Sequence, residues 1–407
     1  MIAKKSTSQK VEAEDRPLTS SAPVPFGKSK ASVSLDALRG AAALLVLADH
    51  CRHFFFVEYH DLGSKLYFLP YLVTVLGHQA VVIFFVLSGF LVGGSALRSV
   101  QQDRWSWKRY LTHRFVRLWL VLIPALLACM AWDSLGSYLH SHAVQPTALL
   151  QHIPGVAPAQ PLAQRIDLHP RSDGATFFGN VFFVQTILVP TFGTNEALWS
   201  LANEFWYYIL FPLGLLAIRS RYSPLMRVLY ALAFLGVCLF VGKSIVFSFP
   251  LWILGAVLIY LPAPRTSFAL RASATVVYAV ATMLALQLAR TRMLLSDYIL
   301  AILTTAYIWL LLGAKERSSG KTGEKLARGT ARFSYTLYLT HMPLMIFLAG
   351  LTVSNTRWFP NSVTVGLALA FCAAALLYAW IFACFTEFKA EEAKQWAERI
   401  FVGNSRI

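Results

Sequence analysis

An arginine and a histidine stand eleven residues apart inside one apolar segment, LDALRGAAALLVLADHCRHFFF, running from Leu35 to Phe56. A helix advances about 100° and 1.5 Å per residue, so Arg39 and His50 return to within about 20° of one face, with about 16 Å of rise between them. An imidazole can take a proton from a hydroxyl near neutral pH, because its reference pKa is about 6.5 and burial favours its uncharged form. A guanidinium stays charged and binds phosphate oxygens in bidentate fashion. Ionisable groups within apolar spans ordinarily face a bundle interior or a wet cavity, which makes this pair a candidate site. The competing reading is structural: Arg39 reaches the membrane surface along its aliphatic stem, and His50 bonds a neighbouring helix.

Other segments add chemistry. Glu204 enters an apolar helix in LWSLANEFWYYILFP, where a carboxylate needs a partner or water. The run RWSWKRYLTHRFVRLW presents Arg104, Lys108, Arg109, Arg114 and Arg117, which can serve topology, anionic lipid or a phosphate-bearing ligand. In RFSYTLYLTHMPL, His341 precedes Pro343 with Ser334, Tyr335 and Tyr338 nearby; a lone histidine there is ordinarily a packing residue. GHQAVVIFFVLSGFLVGG carries Ser88 with Gly89, Gly93 and Gly94, and small residues of this kind let helices approach closely. His140, His142, His152 and His169 lack compact ligand spacing, so no metal is expected. The five cysteines form no CxxC pair and lie in or beside apolar runs, which favours packing over disulfides or nucleophilic chemistry. No glycine-rich phosphate loop occurs, so neither an ATP motor nor a dinucleotide-binding domain is signalled.

The elements that must position these groups are membrane helices. Of 407 residues, 57% are hydrophobic and only 14% charged, a composition that excludes an ordinary soluble enzyme. Apolar runs long enough to span hydrocarbon fall near 34–57, 71–96, 115–135, 197–217, 225–241, 244–261, 272–289, 294–314, 332–351 and 362–385. An all-α polytopic bundle of about ten transmembrane helices is therefore expected, with only Gly242 and Lys243 between the fifth and sixth. The net charge of +16 is topological. With ten spans and both termini cytoplasmic, Lys and Arg crowd the inner segments, while the outer side holds only Arg52, Lys65, Arg165, Arg171, Lys243, Arg290, Arg292 and Arg357. Nucleic acid is thereby an unexpected partner, and membrane lipids are the expected surroundings. Residues 1–33 read as a disordered cytoplasmic tail without the features of a signal peptide. Residues 34–386 form the transmembrane domain and 387–407 a cytoplasmic C-terminal tail. A long outer loop, about 136–196, is expected over the outer mouth as a lid or binding surface. Its Phe177, Phe178, Phe182 and Phe183 either stack on sugars or lie in the membrane interface.

Taken in order, LDALRG with Arg39 followed by His50, IFFVLSGFLV, the basic run ending at Arg117, WSLANE with Glu204, and FSYTLYLTHMP resemble the membrane acyltransferase type 3 family. Its members include bacterial O-acetyltransferases of lipopolysaccharide O-antigen, exopolysaccharide and Nod factor. The landmarks span residues 35 to 343, and the helical pattern carries the resemblance over nearly all the chain beyond the tail. Departures are Ala37, Ala80, His113 at the first of the family's paired arginines, Leu120, and TEFK at 386–389. No serine-hydrolase-like domain is expected after the last span.

The resemblance implies transfer of an acyl group, usually acetyl from acetyl-CoA in the cytoplasm, to a hydroxyl of a surface glycan or lipid-linked saccharide at the outer face of a bacterial inner membrane. His50 is then the base or transient acyl acceptor, and Glu204 the second catalytic candidate, available to orient it. Asp49 projects about 100° away from His50 and is a poor orienting partner. Arg39, Arg114 and Arg117 would hold the acyl-CoA, while Asp36, Ser88, Tyr335 and His341 are substrate-binding or structural positions. A transporter or flippase of a lipid-linked sugar is the competing class, since intramembrane charges also mark transport paths. Neither an internal duplication nor paired interrupted spans support it.

Overall fold

The structure, a computed structural model, describes residues 30–141, 171–314, 321–353 and 357–402, and among them only helices and isolated bridges form. Most of the expected N-terminal tail, and His142, His152 and His169 of the outer loop, lie outside the described residues.

The chain begins with α1 (Lys30–Phe55). A short α2 (Phe68–Thr74) leads to α3 (Gly77–Ser88), which continues through a π-helical turn (Gly89–Gly93) into α4 (Gly94–Gln101). Next come α5 (Trp107–Ser141), α6 (Gly174–Val181), α7 (Trp199–Ala217) and α8 (Pro224–Val257). They are followed by α9 (Phe268–Ala289), α10 (Met293–Leu312), α11 (Lys321–Arg332), α12 (Ser334–Thr352), α13 (Ser362–Phe385) and α14 (Ala390–Ala397).

Among the described residues, seven helical stretches are long and apolar enough to cross a membrane, beginning at Lys65, Trp107, Pro224, Phe268, Met293, Ser334 and Ser362. The expected ten spans included α1 and α7, which carry the polar groups singled out above, and a division of α8. That division has a physical counterpart. Gly242 sits at φ 77°, ψ 175°, a conformation open only to glycine, and breaks α8 where the fifth and sixth spans were separated.

The core is built around α1, α3, α5, α7 and α12. Helix α1 packs on α3, α11 and α12, α5 on α12 and α14, and α3 on α8. The α3–α8 crossing depends on missing side chains. A Cβ on Gly89 would stand 1.8 Å from the Trp252 carbonyl oxygen, and one on Gly255 1.9 Å from that of Val86. These backbones touch, as the small residues after Ser88 suggested, and the π turn begins at this crossing.

The described part of the outer loop is anchored rather than loose. Trp119 Nε1 donates to Val181 O at 2.8 Å, Trp206 Nε1 to Phe183 O at 2.9 Å, and Thr194 Oγ1 to Asp133 at 2.6 Å. Phe183 is fully buried and stacks on Phe205 with ring centroids 4.2 Å apart, so it is a core residue and not one that meets sugars or lipid. Phe178 and Phe182 of the same run are exposed. The cysteines are free; Cys51 and Cys129 are buried. Residues 387–402, expected as a tail, fold back as a structured segment against α5.

Candidate active site

A cavity of about 340 Å³ lies among α1, α3, α5, α7, α12 and α14. It gathers residues dispersed over nearly three hundred positions: Arg39, Ser88, Arg114, Arg117, Glu204 and Tyr335, all singled out in the sequence, line its wall. His50, His341 and Asp36 are outside the lining, and each has its own place.

The end of the cavity nearest the start of α5 is basic. Arg117 donates to Glu387 Oε1 at 3.0 Å, and the other oxygen of Glu387 accepts from Thr336 N at 2.9 Å and Thr336 Oγ1 at 2.8 Å. Glu387 thus satisfies an amide in the first turn of α12, where a negative charge is also favoured by the helix dipole. The Arg114 guanidinium lies over the rings of Tyr110 and Tyr208, 5.5 and 5.7 Å from their centroids, and Arg117 lies 5.7 Å from that of Tyr335. Such cation–π contacts hold the two arginines in place while leaving donors for an anion. Arg39 stands within electrostatic reach of Arg117, Asp36, Glu387 and Glu204.

Glu204, also in the cavity wall, is held through one carboxylate oxygen. Ser88 Oγ donates to its Oε1 at 2.8 Å, Tyr208 donates to the same oxygen through a short bond, and Trp252 Nε1 donates to Ser88 Oγ at 3.1 Å. Glu204 therefore organises a hydroxyl network. It does not orient His50.

His341 occupies that orienting position instead. His50 Nδ1 and His341 Nε2 are 2.7 Å apart, and the rings meet edge to edge, with planes 13° apart and centroids separated by 5.0 Å. The protons in this pair can be assigned from the partners. His341 Nδ1 lies 2.8 Å from the carbonyl oxygen of Leu337, which can only accept, so Nδ1 carries hydrogen. In a neutral His341 ring, Nε2 is then the acceptor, and His50 Nδ1 must be the donor. The lone pair of His50 falls on Nε2, which no hydrogen bond among the described residues uses. His341 is 1% exposed and its ring is 6.2 Å from that of Tyr338, which lines the cavity. Tyr338 and Ser200 hydroxyls lie 2.6 Å apart at that point, and Tyr338 donates to Ala197 O at 3.0 Å. The imidazole pair therefore stands just past the Tyr338 and Ser200 wall, at the far end from the arginines. Asp49 faces elsewhere, pairing with Arg52 at 3.5 Å.

Ser200, Tyr208, Tyr338, His113 and Lys394 are site residues without a role in the sequence reading. Ser200 and Tyr208 were within reach of one, since they stand four residues either side of Glu204 and share its helical face. Lys394 and Glu387 were not, because their contribution depends on the fold-back of the C-terminal segment. Among the described residues, no group of three or more His, Cys, Asp or Glu side chains could hold a metal ion.

Residues 32–384 match the family model described as Acyltransferase domain. Acyltransferase MdmB of Streptomyces mycarofaciens is 29% identical over 224 residues, which are 53% of this chain and 47% of that relative. The chain thus spans about half the length of the curated relative it matches. No solved structure matches.

Proposed function

Because the chain belongs to the Acyltransferase domain family, we propose that it is an integral membrane O-acyltransferase which moves an acyl group, acetyl foremost, from cytoplasmic acetyl-CoA to a hydroxyl of a surface glycan or lipid-linked saccharide. The observation that carries this reading is the proton-assigned pair of His50 and His341, which stands behind the Tyr338 and Ser200 wall of a cavity whose other end is basic.

Arg114 and Arg117, with Arg39 beside them, take the phosphates and polar arm of the donor at the cytoplasmic end. The extended pantetheine then covers the rise of about 16 Å between Arg39 and His50 along α1. His50 Nε2 receives the proton of the acceptor hydroxyl as its oxygen attacks the thioester carbonyl. A C–O bond forms, the C–S bond breaks, and the coenzyme A thiolate leaves and is protonated. The imidazolium formed on His50 is stabilised by its Nδ1–H bond to His341. The cavity-lining hydroxyls of Ser200 and Tyr338 bond each other and the Ala197 carbonyl in the resting structure, and either donates to the developing oxyanion only by giving up one of those bonds. Glu204, held by Ser88 and Tyr208, balances the arginines beside the path of the thioester. Both termini are on the donor side, and the membrane is the bacterial inner membrane.

The test is mass spectrometry of surface glycans and lipids from a deletion strain complemented by the intact gene or by His50→Ala. A loss of about 42 Da per acceptor, restored by the intact gene alone, is expected for hydroxyl acetylation. Acylation restored equally by His50→Ala would remove His50 from the chemistry. No acyl difference in any fraction would favour movement of a lipid-linked sugar instead.

A further inference from the structure

Arg109, His113 and Arg117 recur at four-residue intervals on α5 and so form one basic stripe leading out of the cavity. Carboxylates of the folded-back C-terminal segment meet all three, in two different ways. Glu387, whose side chain is 2% exposed, is locked between Arg117 and Thr336. Glu398 is 36% exposed and offers a single oxygen, Oε1, to both partners: His113 Nε2 at 2.5 Å and Arg109 Nε at 3.8 Å. His113 and Lys394 also line the cavity, and Lys394 pairs with Glu391 at 3.4 Å on an exposed face of α14. One pairing is built into the fold. The other is open to solvent and to exchange.

We propose that Arg109 and His113, with Lys394 beside them, form the subsite for the 3′-phosphate of the coenzyme A donor, and that Glu398 fills it until the donor arrives. This rests on the acyl-CoA reading above. A phosphomonoester brings a charge of about −1.5 to −2 and three acceptor oxygens, so it can serve Arg109 and His113 separately where Glu398 divides one oxygen between them. Solvent-exposed ion pairs are weak, so displacing Glu398 lowers donor affinity only severalfold. The subsite distinguishes donors that carry the 3′-phosphate from those that lack it. It also couples donor entry to release of the segment after α14.

The experiment measures binding of coenzyme A and of 3′-dephospho-coenzyme A to the purified full-length protein in lipid nanodiscs. The wild-type protein should prefer coenzyme A by about tenfold, the scale of hydrogen bonds to charged groups, and Arg109→Ala combined with His113→Ala should erase that preference. Glu398→Gln should tighten coenzyme A binding about threefold to fivefold and leave the dephospho compound unchanged. Equal affinity of the wild-type protein for both compounds overturns the subsite, as does a Glu398→Gln effect that is absent or equal for both. Failure of the wild-type protein to bind either compound overturns the acyl-CoA reading along with it.

Discussion

His341→Ala isolates the step on which the proposed chemistry depends. The substitution removes the acceptor of the His50 Nδ1 hydrogen, at present 2.7 Å away, and touches none of the residues lining the basic end of the cavity. Two consequences follow for His50. Its proton is no longer fixed on Nδ1, and the imidazolium formed in the transition state loses a charge-assisted hydrogen bond. Hydrogen bonds to charged groups contribute about 1.5–3 kcal/mol, which corresponds to a fall in kcat of about 10- to 150-fold. Loss of the correct tautomer adds to that figure, as it does when the carboxylate of a catalytic triad is replaced. The donor site is untouched, so the KM for acetyl-CoA should stay within about twofold, the signature of an interaction made in the transition state. His341→Gln supplies a side-chain carbonyl at similar reach and should recover part of the rate. The assay is incorporation of labelled acetyl from acetyl-CoA into endogenous acceptor in membrane vesicles of the complemented deletion strain. A His341→Ala rate within about threefold of wild type, below the smallest loss a charge-assisted bond implies, would refute the assignment of protons between these rings.

Four further outcomes are expected. Arg117→Ala strips the partner from Glu387, whose side chain is 2% exposed, and should lower the thermal midpoint in nanodiscs by an amount equivalent to about 1–3 kcal/mol; Arg117 itself is 41% exposed, which keeps the effect below that of a fully buried pair. Gly89→Ala would drive a methyl into the Trp252 carbonyl and should cost about 3 kcal/mol or more, read as loss of monodisperse protein on size exclusion. Gly242→Ala forces a glycine-only conformation on alanine at a strain of about 1–3 kcal/mol, measurable as a lowered thermal midpoint without a change in donor affinity. Asp173, outside the membrane helices, accepts from the backbone N–H and hydroxyl of Thr176, which hold its carboxyl below the ordinary carboxylate range. Its capping of α6 is therefore complete above the ordinary carboxylate pKa and declines as pH falls through the lower native value, so amide exchange in α6 should accelerate on acidification in the wild type and lose that dependence in Asp173→Asn.

Much of the site was legible because membrane helices make polar residues conspicuous. Arg39, Arg114, Arg117, Glu204 and Ser88 each interrupt an apolar run, and all five line one cavity. Spacing also placed Arg39 and His50 on one face of α1, and Gly242 at a helix boundary. What the sequence withheld was partnership across helices. His50 and His341 are separated by 291 positions, and neither helix alone reveals the other as its partner. Glu204 stood out as an available orienting group for His50, yet its nearest donors, Ser88 and Tyr208, come from the α3 crossing and from its own next turn. Phe183 looked like its exposed neighbours Phe178 and Phe182 because alternation in a short loop carries no periodic signal. The C-terminal segment read as a tail for the same reason: its apolar content is low, and only the pairing of Glu387 and Glu398 with α5 gives it a place.

The distribution of hydrogen-bond partners narrows where proton transfer can occur. Glu204 is committed to Ser88 and Tyr208, Glu387 to Arg117 and Thr336, and Glu391 to Lys394. The Ser200 and Tyr338 hydroxyls hold each other and a backbone carbonyl, so both of their hydrogens are committed in the resting structure. His50 differs from all of these. Its Nδ1 hydrogen is fixed by His341, and through it by Leu337, while Nε2 keeps a lone pair that no described residue uses. A chain of one carbonyl and two rings thus sets the direction of proton movement without a buried charge in the resting state. Removing that direction, rather than adding or removing charge, is what His341→Ala does, and an effect on kcat with an unchanged KM is the form in which it should be seen.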